Sequence, residues 1–198
     1  MLQINELIFK WPNSIQQEVN LEASAGEIVL IGGPSGIGKT TLFNIISGFY
    51  ETVSGSVIFN GKNLISKPPW KRPVSTMFQS DNLFPHLSVK QNLMLGIKNF
   101  SKDIENQLYF LKIFSLINQK CSELSGGELQ RVALIKTLSR EKPIILLDEP
   151  FSALDEDMIK KASILIQEHT KKVKSITLII SHQEVRPHLK VKRRIELS

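Results

Sequence analysis

The chain has 198 residues, 41% of them hydrophobic and 22% charged, with 11 glycines and 9 prolines. That composition suits one globular domain, or one with an inserted subdomain, and excludes disorder, collagen and coiled coil. A single cysteine, Cys121, excludes an internal disulfide framework and a multi-cysteine metal site, and the net charge is +6.

In chain order, the first thirty residues read as strands. Asn5 and Glu6 interrupt the segment where a signal peptide needs an apolar run. No stretch approaches the roughly 18 apolar residues of a membrane span, so a soluble, cytosolic chain is expected. Glu27 to Ile31 is a short β-branched strand that stops at glycine. After Lys39, Leu42, Ile45 and Ile46 fall at helical spacing, with Gly48 as the stop. Ser56 to Phe59 followed by Asn60-Gly61 reads as a strand and a hairpin turn.

From about Ser80 to Arg140 the chain reads as mainly helical, interrupted at Pro85 and at Ser125-Gly126-Gly127. Cys121 falls here and reads as a small residue in a loop or helix end. Pro143 to Leu147 is apolar without alternation, which fits a strand buried on both faces of a parallel sheet. A helix over roughly Asp155 to Lys174 and a second buried strand, Ile176 to Ile180, complete a βαβ unit. The class is therefore α/β with helices on both faces. Lys171, Lys172 and Lys174, then Arg186, Lys190, Lys192, Arg193 and Arg194, read as a solvated basic face. No aromatic residues interleave there, so no nucleic-acid partner is expected. Arg194 to Leu197 reads as a last strand.

Gly33-Pro34-Ser35-Gly36-Ile37-Gly38-Lys39-Thr40 matches G-x-x-x-x-G-K-[ST] between a buried strand and an amphipathic helix. Such a loop turns successive N–H groups inward onto phosphate oxygens, and the helix N-terminus adds partial positive charge. Lys39 would bridge the β- and γ-phosphates, Thr40 would ligate Mg²⁺, and Thr41 would help hold the α-phosphate. The second buried strand end, Leu147-Asp148-Glu149-Pro150, carries two carboxylates. Ligands sit at such ends in a parallel sheet, so Asp148 is placed to hold Mg²⁺ and Glu149 to act as general base for water attacking the γ-phosphate. Leu124-Ser125-Gly126-Gly127-Glu128-Leu129-Gln130-Arg131 opens a helix with a hydroxyl, free N–H groups and the dipole together, an anion receptor or a plain cap.

With these motifs the chain resembles the nucleotide-binding subunit of ABC transporters, over nearly its whole length and in the family's order. Gly33 to Thr40 resembles Walker A, Thr76 to Gln79 the Q-loop, and Leu124 to Arg131 the signature. Leu146 to Pro150 resembles Walker B, Ser152 to Asp155 the D-loop, and Ile180 to His182 the switch. The resemblance implies a P-loop NTPase fold: a mainly parallel core sheet, an N-terminal antiparallel β subdomain and a helical subdomain inserted at about 80–140 of a single 1–198 domain.

It also implies an ATP- and Mg²⁺-dependent ATPase whose two copies stack head to tail. Ser125, Gly126, Gly127 and Glu128 of one copy would then meet the ATP held by the other. Gln79 would sense Mg²⁺ and the attacking water, His182 would contact the γ-phosphate and position Glu149, and Asp155 would link the sites. Trp11 stands where the family usually has an adenine-stacking aromatic, with Phe9 as rival. Glu128 departs from the common Gln of the signature. The stretch Lys71 to Val89 looks like bacterial importer ATPases for thiamine, iron, polyamines and sugars, closest to the thiamine type. The implied partners are a second copy, membrane permease subunits on the cytoplasmic face of the inner membrane, and an extracytoplasmic substrate-binding protein. The alternative is the ATPase of a lipid- or lipoprotein-extracting or export complex.

Overall fold

The computed structural model describes residues 1–10, 16–80, 82–182 and 188–197. Trp11 and Arg186, together with Asp81 of the importer-like stretch, lie outside the described residues.

Two sheets organise the chain. The first is antiparallel and built from β1 (Leu2–Phe9), β2 (Gln17–Ala23), β4 (Ser54–Phe59) and β5 (Lys62–Asn63), in the order β2-β1-β4-β5. β2 buries every second residue, the alternation of a sheet with one face on the core. Asn60-Gly61 forms the tight turn joining β4 to β5, with positive φ at both residues.

The second sheet is parallel, in the order β6-β7-β8-β3-β9. Its strands are β3 (Ile28–Gly32), β6 (Val74–Met77), β7 (Ile144–Asp148), β8 (Ile176–Ile180) and β9 (Arg193–Glu196). β3, β7 and β8 are buried at every position, because both faces of the sheet are covered. Val29, Ile31, Ile144, Leu146, Ile176 and Leu178 face one core, shared with helix α1 (Lys39–Ser47) and the antiparallel sheet. Ile28, Leu30, Ile145, Leu147 and Ile179 face the other, under α4 (Gly126–Leu138) and α5 (Glu156–Val173). Hydrophobic burial on both faces is the dominant stabilising term for this layer.

The terminal strand does form, pairing parallel to β3 from Val29↔Arg193 to Gly32↔Glu196. Its basic run is only partly a free solvated face. Lys192 and Arg193 lie 2.6 and 3.5 Å from the buried carboxylate of Glu27, and Arg194 pairs with Glu196.

The stretch expected to be mainly helical over 80–140 is less regular than that. Besides α4 it holds two short helices, α2 (Val89–Met94) and α3 (Lys102–Phe110), and two single 3₁₀ turns. Irregular segments separate them, and buried polar side chains replace regular backbone pairing there. Asn92, fully buried, donates to the carbonyls of Phe84, Leu87 and Ser88 and accepts from Phe84 N. Cys121 lies buried in one 3₁₀ turn, where Asn92 Nδ2 reaches its sulfur at 3.2 Å and burial pushes the thiol pKa up.

Candidate active site

Four adjacent strands of the parallel sheet end at one edge. β6 leads to Gln79, β7 to Asp148 and Glu149, β8 to His182, and β3 to the glycine-rich loop that opens α1. The C-terminal edge of such a sheet is where chain reversal leaves room for a ligand. There a cavity of about 340 Å³ is lined by Lys39, Thr40, Gln79, Asp148, Glu149 and His182, with Ser35, Gly36, Gly38 and Thr41 from the loop. Ser35 and His182, 147 positions apart in the chain, are thus neighbours because their strands are.

The loop is built around Lys39. Its Nζ donates to the carbonyls of Gly33 and Pro34, each at 2.8 Å. Burial draws the ammonium pKa down, while Glu149, Asp148 and Glu196 oppose that. Gly38 stands at the helix N-cap with φ 109°, and a Cβ there would lie 2.9 Å from the Phe9 ring. Only glycine meets both demands at that position. The same contact answers for Phe9: it is 2% exposed and packed under the loop, not presented for stacking. Ile37 packs partly into the core below.

Asp148 is 2% exposed and accepts from the Thr40 hydroxyl at 2.7 Å. Burial raises its pKa; Thr40, Lys39 and His182 counter the rise. Glu149 has a left-handed φ of 51° and lines the same cavity as Asp148. Its Oε2 accepts from His182 N at 3.3 Å. Its Oε1 is buried and makes no hydrogen bond among the described residues, although His182 Nε2 stands 3.5 Å away. Burial raises the Glu149 pKa, and the neighbouring Asp148 adds to the rise. A buried carboxylate with one free oxygen and a raised proton affinity is suited to take a proton from water.

None of Ser125 to Glu128 lines this cavity; Gly126 lines a neighbouring one that shares Gln79 with it. Ser125 caps α4: its hydroxyl donates to Glu128 Oε2 at 2.7 Å, its own N–H donates to the same oxygen at 2.8 Å, and Glu128 N donates back at 3.4 Å. Those donations hold the Glu128 carboxyl below its ordinary pKa. Gly127 packs on the turn after β7, where an added Cβ would meet the Ala153 carbonyl at 2.8 Å. Asp155 likewise serves its own chain, accepting from Met158 N as the cap of α5.

Sequence reasoning passed over Gln130. From α4 it donates to the Glu149 carbonyl at 2.8 Å and to Ser152 Oγ at 2.9 Å, and accepts from Ala153 N at 2.9 Å. It therefore holds the turn that carries Glu149. Its partners lie 19 to 23 residues away in the chain, and no local spacing reports them.

The sequence profile of the ABC transporter family matches residues 16–152. The chain belongs to the ABC transporter family, as an ATP-binding subunit. Curated relatives agree. The thiamine import ATP-binding protein ThiQ of Haemophilus influenzae (strain ATCC 51907 / DSM 11121 / KW20 / Rd) is 41% identical over 190 residues, covering 92% of this chain and 88% of the relative. ThiQ of Histophilus somni (strain 129Pt) is 39% identical over 204 residues, covering 100% and 94%. Among solved structures, the dimeric post-hydrolysis state of the ATP-binding cassette MJ0796 bound to ADP and Pi superposes with a TM-score of 0.83 at 27% identity, covering 100% of this chain and 94% of the other. The ABC subunit is thus an ATPase. Among its described residues no helix is long and apolar enough to cross a membrane.

Proposed function

We propose that this ATPase works as a head-to-tail pair whose hydrolysis drives import through separate permease subunits at the membrane. The observation that carries the reading is the split between the two halves of the site. Lys39, Thr40, Gln79, Asp148, Glu149 and His182 share one cavity, while Ser125 to Glu128 stay outside it on the same chain. A helix tip whose Gly126 and Gly127 amides have no partner within the helix, outside its own chain's nucleotide cavity, suits the nucleotide of a second copy.

In this reading the loop from Gly33 to Thr41 binds the triphosphate. Lys39 exchanges its two loop carbonyls for phosphate oxygens. Thr40 and Asp148 fit a magnesium ion: both offer hard oxygens, they already touch, and Asp148 is buried beside the loop. The ion supplies charge neutralisation on the phosphates when bound. Gln79 orients the attacking water, Glu149 accepts its proton on the free Oε1, and His182 steadies Glu149 through its backbone N–H and faces the γ-phosphate. Asp155, beyond capping α5, faces the partner copy. Trp11 remains the proposed adenine platform, since Phe9 is buried.

The whole chain, 1–198, acts as one ATPase domain, with the segment around 80–140 inserted to meet the permease. Relatives named for thiamine import make thiamine the first cargo to test, with an external binding protein delivering it.

Glu149→Gln tests the chemistry and the coupling together. Turnover should fall by roughly 10² or more, the scale of losing a general base, with ATP binding retained. Uptake of labelled thiamine by cells that depend on this subunit should fall with it. Full ATPase activity in the variant would remove Glu149 from the mechanism.

A further inference from the structure

Gln79 is exposed, and the stretch that carries it, from Phe78 to Phe84, belongs to no helix or strand among its described residues. Its position must therefore be imposed from outside. Asn82 folds back on Phe78: its Oδ1 accepts from Phe78 N at 2.8 Å and its Nδ2 donates to the Phe78 carbonyl at 2.5 Å. Asn92 of α2 holds Phe84 in the same manner, with both contacts at 2.9 Å.

A contact from α4 meets the Asn82 clamp, while Phe49 packs on the Phe78 ring from the other side. Lys136 Nζ donates to the Asn82 carbonyl at 2.8 Å and lies 5.3 Å from the centre of the Phe84 ring. Lys136 sits in α4 within an unbroken buried run from Val132 to Leu138, and is itself 8% exposed. Burial, reinforced by the like charge of Arg140, pulls its pKa down. An apolar side chain would suit such a position at lower cost, so the ammonium is explained by what it holds.

We propose that Lys136 is a positioning residue, pinning the Asn82 carbonyl from the signature helix and so fixing where Gln79 stands in the nucleotide cavity. The inference rests on the reading of Gln79 given above. The same helix presents Ser125 at its tip and steadies the Glu149 turn through Gln130. Any shift of α4 is therefore felt at the water-orienting glutamine and at the base together.

The test uses the full-length chain. Lys136→Met keeps the aliphatic stem and removes the charge. Amide hydrogen exchange should quicken over Phe78 to Phe84, and kcat should fall roughly 10- to 100-fold, as misplacement of a catalytic group costs. KM for ATP and the melting temperature should stay near wild type. Lys136→Arg should restore kcat, because a guanidinium can both donate to the carbonyl and stack on the ring. Gln79→Ala is measured beside them. If it is impaired while Lys136→Met turns over normally, the inference is overturned and the reading of Gln79 stands. If Gln79→Ala turns over at the wild-type rate, the reading fails and the inference with it. A Lys136→Met loss that tracks a lowered melting temperature, or a Lys136→Arg variant no better than Met, also overturns it.

Discussion

His169 is 7% exposed on α5, and its Nε2 is buried without a hydrogen bond among the described residues. Burial, helped by the charge of Lys172, lowers its pKa from 6.5 to about 4. Between those values the unfolded chain binds a proton that the folded chain refuses. Stability therefore falls as pH drops through this window, by about 2 kcal/mol between pH 7 and pH 5. Urea unfolding at the two pH values should show that loss, and His169→Leu should abolish most of it. An unchanged slope in the variant would place the pH dependence elsewhere.

Legibility in sequence divides along the same line. That Lys39, Thr40, Asp148 and Glu149 would gather at one site was readable because phosphate chemistry demands set residue types at short spacings or strand ends, whereas His182 was reached only through the family resemblance. His169, Gln130 and Lys136 were not, since each acquires its role from partners that only the fold brings near.

Helix α1 shows how an element's end is made secure. Its last carbonyls have no partner within the helix. Gly48 N reaches Ile45 O at 3.1 Å, and Arg72, 6% exposed and 26 residues beyond Ile46, supplies the rest: Nη1 donates to Ile45 O at 2.6 Å and Ile46 O at 3.0 Å. Nε and Nη2 satisfy the carbonyls of Lys67 and Ile65. Gly48 lies directly against this fork; its φ is 91°, and a Cβ would sit 2.6 Å from Arg72 Nε. Arg72→Met should destabilise the chain by about 3 kcal/mol, since several charged hydrogen bonds vanish and buried carbonyls are orphaned. Arg72→Lys should recover less than half, lacking the planar fork. Thermal unfolding of both variants checks this, and equal melting temperatures would reduce Arg72 to filler.

Element boundaries were most legible where the physics is local. Asp155 and Lys174, the expected limits of α5, are its N-cap and C-cap. The buried strands β7 and β8 fell within a residue of the expected runs. The segment after Gln79 is helical wherever it is regular, in α2, α3 and α4, and irregular stretches break it where side chains such as Asn92 satisfy the backbone in place of helical pairing.

The molecule as a whole is incomplete as a catalyst if the helix tip at Ser125 serves a second copy. That claim separates the two lesions a single chain can carry. Lys39→Ala should cripple a chain's own phosphate loop, yet leave its tip able to serve a partner. Ser125→Arg should do the reverse, replacing a small donor with a bulky side chain at the capping box. Each variant alone should be inactive, because every dimer it forms pairs a damaged half with a sound one at both sites. Mixed in equal amounts they should regain activity, since each mixed dimer holds one site with an intact loop and an intact tip. Random pairing of independent sites sets the ceiling at about one quarter of the wild-type rate. An ATPase titration of one variant into the other measures it. A flat line at every ratio would mean that loop and tip belong to one chain's chemistry, and the head-to-tail arrangement would fall.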